Sequence, residues 1–366
     1  MSLEFIGLIG PQESSESQAP RGPVVDLAFI KAFAQAQEYA GFDKALLAVS
    51  TSAPDSLILA SYVAAVTERI GLLVAHRPGF QAPTFAARQF ATLDQLSRGR
   101  AAINVITGGD SGDLQRDGDF LDKDARYART DEYLDVLRNT WTQQQPFDHT
   151  GTHYRVEDNL TLVKPVGQLP VYFSGASDAA VEVAAKHADV YMMWGEPLEQ
   201  VRERIAQVRK AAARYGRENH IRFSLSLRPI LGATEEEAWA RAEQILADAQ
   251  NVIGIRQGNR REKNFGRSNI GSERLVQLAS QRKVHDTRLW TEIAALGGGA
   301  GNSTSLVGTA EQVAEAALAY YDLGVTTFLF RGFEQLRDAV DYGQHLIPRI
   351  RALVAQREAS LGTRSA

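Results

Sequence analysis

Residues 69–76, RIGLLVAH, begin the stretch that decides the fold of this chain. Leu72 to Ala75 form a continuous apolar run, which is typical of a buried strand. The following PTFAARQFATLDQLS (83–97) predicts an amphipathic helix, with Pro83 suited to its first turn. AAINVIT (101–107) is the next apolar strand. Strand, helix and strand in this order predict a parallel β/α unit.

The same alternation repeats along most of the chain. Eight predicted strands, each followed by a helix, cover 3–9, 44–50, 69–76, 101–107, 170–175, 190–194, 222–231 and 326–332. Eight repeats favour an α/β fold, a closed (β/α)8 TIM barrel, over an open doubly wound sheet. An open sheet should carry a phosphate fingerprint after its first strand, and GLIGPQES has no G-x-G-x-x-G pattern there. We therefore predict one barrel domain over residues 1–366.

Two segments do not fit the alternation of strand and helix. Residues 144–168 predict a β excursion, and residues 250–308 form a long insertion before the last strand. The insertion is rich in Arg and Lys and ends in a glycine run that starts at Gly297. Loops of this length are usually functional lids or disordered. Two interpretations stay open: a solvated, charged connection, or a lid with glycine hinges that closes over an anion.

Composition excludes several classes of site and partner. The chain has 366 residues and no cysteine, which excludes disulfides, thiolate metal sites and cysteine nucleophiles. Its formal net charge of −4 gives no reason to expect a nucleic acid or an anionic membrane as partner. The N-terminus lacks the pattern of a signal peptide, and no stretch is long and apolar enough to span a bilayer. We expect a cytoplasmic soluble protein without a bound metal, because the histidines show no metal-ligand spacing.

Polar residues at strand ends mark a candidate active site. Barrel enzymes build their sites at the C-terminal ends of the strands, where this chain has His76, Arg77, Thr107, Ser174, Trp194, Arg228 and Arg331. One such arginine would be expected to be a structural salt-bridge partner, but three favour an anion site. His76 could exchange a proton near neutral pH, or could be a packed, hydrogen-bonded strand-end residue.

Four blocks of sequence occur in an order known from one enzyme family. They are PTFAARQFATLDQLSRGRAAINVITGGD (83–110), DGDFLDKDARYARTDEYL (117–134), YFSGASDAAVEVAAKHADVYMMWGEP (172–197) and the late GGGAG…LVG run. Together they resemble the bacterial luciferase-like, flavin-dependent monooxygenases. In detail and order they are most similar to the alkanesulfonate monooxygenases, which release sulfite from sulfonates. The likeness covers nearly the whole chain.

The resemblance implies a barrel with insertions that binds FMN as FMNH2, supplied by a separate NAD(P)H-dependent flavin reductase. It implies oxygenation of a small organosulfur substrate by O2. For a sulfonate, cleavage of the C–S bond would yield an aldehyde and sulfite. It also implies a homodimer or homotetramer.

The resemblance assigns the FMN phosphate to the turn after the fifth strand. Gly175, Ala176 and Ser177 lie there, and backbone N–H groups at a helix N-terminus could hold the phosphate. Ser177 could equally be a helix cap, and both roles are compatible. Tyr127 resembles the phosphate-contacting tyrosine of the family; otherwise it would be a half-buried helix residue.

Three further residues are expected near the flavin. The resemblance places Thr107 beside the isoalloxazine ring or its ribityl chain. Met193 and Trp194 end the sixth strand, where the family has residues beside flavin and substrate. Sulfur and aromatic side chains there could equally belong to the core.

The strand-end residues depart from the alkanesulfonate monooxygenases. Ser226 and Arg228 replace an Arg-x-His pair, and Phe333 replaces a tyrosine after the eighth strand, preceded by Arg331. His76 replaces an apolar residue, and a cysteine and a lid arginine are absent. An anionic substrate is still expected, because guanidinium groups suit oxyanions. We predict catalytic roles for Arg228, His76, Trp194 and Arg331, and substrate contacts from Arg228, Arg331, Ser226 and Phe333.

Three alternatives stay open. The protein could be a luciferase-like oxygenase of a sulfone, a chelator or a heterocycle. It could be a reductase on the same fold that uses the deazaflavin F420 and no O2. It could also be a flavin-binding relative without catalytic activity.

Overall fold

Eight strands close into a barrel in the computed structural model, which describes residues 3–259, 270–297 and 304–362. The strands are β1 (Glu4–Ile9), β2 (Lys44–Leu47), β3 (Gly71–His76), β4 (Ala101–Val105), β7 (Val171–Ser174), β8 (Val190–Trp194), β9 (Arg222–Leu227) and β14 (Val325–Phe330). The order around the barrel is β1-β14-β9-β8-β7-β4-β3-β2. The predicted TIM-barrel fold is confirmed.

Helices follow the strands along the chain. They are α1 (Leu27–Tyr39), α2 (Ser56–Val66), α3 (Pro83–Leu96), α4 (Ser111–Arg116), α5 (Lys123–Thr142), α6 (Asp178–His187), α7 (Leu198–Ala212), α8 (Glu235–Asn259), α9 (Ile270–Gln281), α10 (Glu292–Leu296), α11 (Ala310–Asp322), α12 (Gln335–Asp341) and α13 (Ile347–Gly362). A 3₁₀ turn (Ala213–Tyr215) and a π turn (Tyr342–Leu346) complete the set. Among the residues that the structure describes, no helix has both the length and the apolar character needed to cross a membrane.

The helix starts show how local sequence places these elements. Pro83 opens α3 without a side-chain cap, as predicted, because its missing N–H needs no acceptor in a first turn. Asp122 caps α5 by accepting from the backbone N of Ala125 at 2.8 Å. Thr309 and Gln312 form a reciprocal capping box at α11. These caps satisfy first-turn N–H groups that lack an intrahelical partner.

The chain divides into two compact units, and the first comprises the described residues within 1–45, 193–206 and 222–366. In this unit β14 pairs in parallel with β1 and β9, so that Phe328 lies opposite Phe5 and Leu225. The rings of Phe5 and Phe328 stack with their centroids 6.1 Å apart. Both rings are fully buried, so they form part of the apolar core of this unit.

A second sheet in the first unit corrects the predicted seventh strand. Its strands are β10 (Ile230–Leu231), β11 (Val284–His285), β12 (Leu289–Trp290) and β13 (Ser305–Gly308), in the order β10-β13-β12-β11. The predicted strand 222–231 is therefore two strands, because Pro229 has no N–H for the ladder. The backbone N of Arg228 also turns away to Thr304 O at 2.9 Å. The break leaves Arg228 just beyond the end of β9.

Most of the described part of the long insertion is regular structure. Helix α8 continues through residues 250–259, and α9, β11, β12, α10 and β13 follow in the remaining described residues. Gly297 is the C-terminal cap of α10. The remainder of the predicted glycine hinge, Gly298 to Gly301, lies outside the described residues.

The second unit comprises residues 46–192 and 207–221. Its strands β3, β4, β7 and β8 pair in parallel, with Asn104 opposite Ala75 and Tyr172. Within the predicted excursion, β5 (Phe147–Thr150) and β6 (Arg155–Asn159) form an antiparallel hairpin. The Glu132 carboxylate holds the hairpin to α5, since it accepts from three backbone N–H groups at 2.8 to 3.1 Å, those of Thr152, His153 and Tyr154.

Candidate active site

A glycine turn with two hydroxyl groups follows β7 in the second unit. Ser177 caps α6 by accepting from the backbone N of Ala180 at 3.3 Å, so the predicted cap is confirmed. Tyr127 from α5 is hydrogen-bonded to Ser177, and burial raises the pKa of its hydroxyl. Gly175 has a φ of +145°, and a Cβ there would lie 2.6 Å from the Ala180 Cβ and 3.0 Å from the Tyr127 Oη. Only glycine fits this approach.

These residues fit a phosphate group. The first-turn N–H groups and the dipole of α6 favour an anion at the turn formed by Gly175, Ala176 and Ser177. Burial keeps the Tyr127 hydroxyl protonated, so that it can donate a hydrogen bond to phosphate oxygen. We call the set Gly175, Ala176, Ser177 and Tyr127 the phosphate turn, after the role that the sequence predicts for it.

Thr107 and Arg126 lie buried between β4 and α5. Thr107 donates to the hydroxyl of Thr130 at 3.2 Å and is 5% exposed. Arg126 is 2% exposed and donates to Leu121 O at 2.6 Å, and no carboxylate pairs with it within the described chain. Sequence reasoning missed this buried cation, although it directly precedes Tyr127. Its charge acts on the Tyr127 hydroxyl, and it would also attract a phosphate at the turn.

His76 and Arg77 contribute no free positive charge at the end of β3. The Nε2 atom of His76 lies 2.6 Å from the Tyr133 hydroxyl. Burial lowers the pKa of His76 to about 4, so the imidazole is neutral at pH 7. Arg77 is ion-paired to Asp113 and also lies 3.4 Å from Asp117. The expectation that His76 titrates near neutral pH is corrected by its burial, which disfavours the charged form.

Two arginines of the first unit share one carboxylate. Arg228 follows β9 and Arg331 follows β14, and each donates to a different oxygen of Glu16, the Arg331 bond measuring 3.1 Å. Arg228 is 1% exposed and also donates to Gly332 O at 2.7 Å. We call Glu16, Arg228 and Arg331 the arginine cluster. Sequence reasoning missed Glu16, because its segment shows no periodicity that predicts where an acidic side chain points.

Burial and charge both act on the arginine cluster. Burial alone would raise the pKa of Glu16, but the charges of Arg228 and Arg331 hold it far below its usual value. Burial and the like charge of Arg228 lower the pKa of Arg331 to about 10, so Arg331 is charged at pH 7.

Phe333 and Ser226 lie next to Arg228 in different ways. The Arg228 guanidinium lies over the Phe333 ring, 3.6 Å from its centroid, as a cation–π contact. Phe333 is fully buried in an apolar cluster with Ile230 and other core residues. It therefore supports the arginine from within the core. Ser226 is half-buried on β9, opposite Leu329 of β14.

The end of β8 belongs to an apolar cluster. Met193 is 7% exposed, and Trp194 packs against Leu275 and Leu278 of α9 and against Ala294. Arg274 of α9 donates to both oxygens of Glu196 at 2.7 and 2.8 Å. Trp194 thus has the contacts of a core residue, which is one of the two roles predicted for it. It also anchors α9, a helix of the long insertion.

Three side chains that could act as metal ligands lie close together on α5 and α6. Ligand atoms of Asp131, Asp135 and His187 lie within 4.8 Å of one another. Lys186 is ion-paired to both carboxylates, at 2.9 and 2.8 Å. The two carboxylates therefore already have a cationic partner in Lys186. The spacing of these residues in the sequence did not predict the cluster.

Comparison with known proteins places this geometry in a family context. A family model described as luciferase-like monooxygenase matches residues 3–327. A long-chain alkane monooxygenase has a TM-score of 0.77 at 21% identity, covering 96% of this chain and 92% of the other. An EDTA monooxygenase from Chelativorans sp. BNC1 has a TM-score of 0.76 at 20% identity, covering 96% and 94%. A riboflavin lyase solved with modified FMN and riboflavin has a TM-score of 0.76 at 20% identity, covering 96% and 92%. At these identities the structures establish a shared fold.

Proposed function

Because the chain belongs to the luciferase-like monooxygenase family, we propose that it is an FMNH2-dependent monooxygenase that desulfonates an organosulfonate with O2. The products are an aldehyde and sulfite. The arginine cluster is the observation that carries the substrate class, because it brings two guanidinium groups to the ends of the paired strands β9 and β14, and one of them, Arg228, is nearly buried. A fixed cation in a poorly solvated place favours an anionic substrate more than a surface cation does.

The phosphate turn is proposed to hold FMN. Its Gly175, Ala176 and Ser177 backbone would face the phosphate, and Tyr127 would donate to it. Met193 and Thr107 would lie along the rest of the cofactor, with Thr107 held in place by Thr130. Reduced FMN supplies the electrons that activate O2.

The arginine cluster is proposed to bind the sulfonate. Arg228 and Arg331 would donate charge-assisted hydrogen bonds to its oxygens, which orients the C–S bond and stabilises negative charge during its cleavage. Phe333 would act through Arg228 by fixing its guanidinium plane, and Ser226 would line the same strand end. The substrate therefore keeps its anionic group at one end while its carbon reacts.

Two further residues are proposed to act in the reaction. His76 is neutral at pH 7, and in the tautomer whose Nε2–H donates to the Tyr133 hydroxyl its Nδ1 would accept a hydrogen bond from the reacting group. Trp194 would exclude water, because it packs under α9. A separate NAD(P)H-dependent flavin reductase, a cytoplasmic location and a homodimeric or homotetrameric assembly belong to the same proposal.

Sulfite release tests the proposed function directly. The protein is mixed with FMN, NADH, a generic flavin reductase and air, and alkyl and aryl sulfonates are screened from methanesulfonate upward. Sulfite should appear only with reduced FMN and O2. Arg228→Met and Arg331→Met should each lower kcat/KM by about ten- to a hundredfold, the loss of one charge-assisted hydrogen bond.

The matched control is Arg222→Met, since Arg222 lies at the other end of the same strand, β9, and pairs with Glu4 at 3.3 Å. It should keep its sulfonate turnover. No sulfite from any substrate, with FMN binding intact, would reject the sulfonate and leave another oxygenase of this family.

A further inference from the structure

The arginine cluster is already filled by a side chain of the protein itself. The two carboxylate oxygens of Glu16 are divided between the two arginines, Oε2 to Arg228 and Oε1 to Arg331. A carboxylate that bridges two guanidinium groups has the charge and the hydrogen bonds of an organic oxyanion bound at the same place.

The three members of the cluster differ in how firmly the fold holds them. Arg228 and Arg331 directly follow barrel strands, and Arg228 is fixed further by Gly332 O and the Phe333 ring. Glu16 lies on the segment 11–26, which contains no helix or strand. The segment closes on itself, because the backbone N of Asp26 donates to Pro11 O at 2.8 Å. The Glu16 side chain is 25% exposed and that of Arg331 is 21% exposed. The position of Glu16 on a loop, and not at a strand end, therefore makes it the member that can reach water by a local change.

A small cavity adjoins one of the two arginines. A cavity of about 10 Å³ adjoins Arg331 and is lined by Gln37, Gln335 and Tyr342. This volume suits about one water molecule and no organic anion. In addition, Arg228 Nε is buried without a hydrogen-bond partner among the described residues. The cluster thus has donors for an anion, but the place of that anion is taken by Glu16.

We propose that Glu16 is an internal competitor for the substrate, and that a sulfonate or carboxylate group binds Arg228 and Arg331 by displacing it. Glu16 then determines specificity for the reaction proposed above, on which this inference rests. A neutral substrate gains nothing at the cluster, because it cannot replace the charge of the carboxylate. An oxyanion replaces that charge, and the Glu16 carboxylate regains water as it leaves. The segment 11–26 becomes more open when the substrate is bound.

Binding of ethanesulfonate to the flavin-free protein tests the inference, with propionate as the carboxylate arm. Glu16→Gln removes the competing charge and retains an amide oxygen as acceptor for one arginine. Its affinity for ethanesulfonate should exceed that of the wild type by about tenfold, because the anion then no longer competes with the charge of Glu16. Tighter binding of propionate than of ethanesulfonate would assign the site to carboxylates. Titration calorimetry at constant ionic strength gives both constants.

Two variants control the measurement. Glu235→Gln removes one charge from another arginine-paired glutamate, whose carboxylate accepts from Arg288 at 3.1 and 3.3 Å, and it should bind ethanesulfonate like the wild type. Adding Arg331→Met to Glu16→Gln should abolish the gain. Hydrogen exchange gives an independent readout: ethanesulfonate should speed exchange in residues 11–26 of the wild type and not in the Glu16→Gln variant.

Equal affinities of folded wild type and Glu16→Gln would overturn the inference, as would a gain that survives Arg331→Met. The failure of the proposed function looks different. Tighter sulfonate binding by Glu16→Gln together with no sulfite release from the wild type would reject the reaction and keep the role of Glu16.

Discussion

His76 is a titratable side chain at a place where the fold disfavours its charge. Its ring lies edge-on to Phe90, with centroids 5.5 Å apart, and its Nε2 bonds to the Tyr133 hydroxyl. Burial lowers its pKa from 6.5 to about 4, against a smaller opposing effect of Asp55. The unfolded chain therefore binds this proton at a higher pH than the folded chain does, so protonation of His76 favours unfolding.

This difference predicts how stability depends on pH. The contribution of His76 is fully present above pH 6.5 and is lost as the pH falls to about 4, by up to about 3 kcal/mol. His76→Asn should flatten the loss of unfolding free energy between pH 6.5 and pH 4, measured by urea titration at several pH values. His220→Asn, at an exposed histidine, is the control. An unchanged slope in His76→Asn would show that the ring is already charged in the folded protein.

Gly175 allows a second prediction at the residue scale. Gly175→Ala should weaken FMN binding at least tenfold, because the new Cβ would lie too close to Ala180 and would displace the Tyr127 hydroxyl. It should also lower stability by about 1–3 kcal/mol, since φ is positive. Gly118→Ala is the matched control: its φ is +92°, but a Cβ there meets nothing within 4 Å. It should lose stability and keep its FMN affinity. Equal FMN affinities in both variants would contradict the phosphate turn.

At the scale of elements, α9 has an ion pair and an apolar cluster among its described contacts. Arg274 binds Glu196 through two nitrogens, and Leu275 and Leu278 pack on Trp194. Arg274→Met should raise hydrogen exchange in residues 270–281 more than elsewhere, because only the local opening of α9 becomes easier. The melting temperature should change little. Arg202→Met, in an exposed pair with Glu199 on α7, should leave exchange in α9 unchanged. The same exchange rates in α9 for both variants would refute the role of the ion pair.

The elements also show how far local sequence determines structure. Apolar runs predicted all eight barrel strands, because a strand buried on both faces needs an unbroken apolar segment. The second sheet was not predicted, since strands of two to four residues such as Ile230–Leu231 carry no measurable period. Likewise, α4 has six residues and begins at the Asp110 cap. Its position follows from that cap and not from an apolar face.

At the scale of the whole molecule, long-range pairing was the part that sequence could not predict. The strand ends predicted Arg77, Arg228 and Arg331 as one set, but Asp113 and Glu16 divide them into different ion pairs. Glu16 is more than 200 positions from Arg228 along the chain, so no local pattern links them. Electrostatic partners that differ so much in sequence position become visible only in the folded structure.

Cofactor choice is the prediction that concerns the whole molecule, because a ligand that binds only the folded chain stabilises all of it. FMN at a hundredfold excess over its dissociation constant should stabilise the protein by about 2.7 kcal/mol and raise its melting temperature accordingly. Tyr127→Phe should reduce this rise, because the phosphate loses a donor, whereas Tyr215→Phe, at an exposed tyrosine bonded to Glu182, should not. F420 should have no such effect. A higher melting temperature with F420, and an unchanged one with FMN, would instead indicate a deazaflavin-dependent reductase, because the same folded chain would then bind F420 and not FMN.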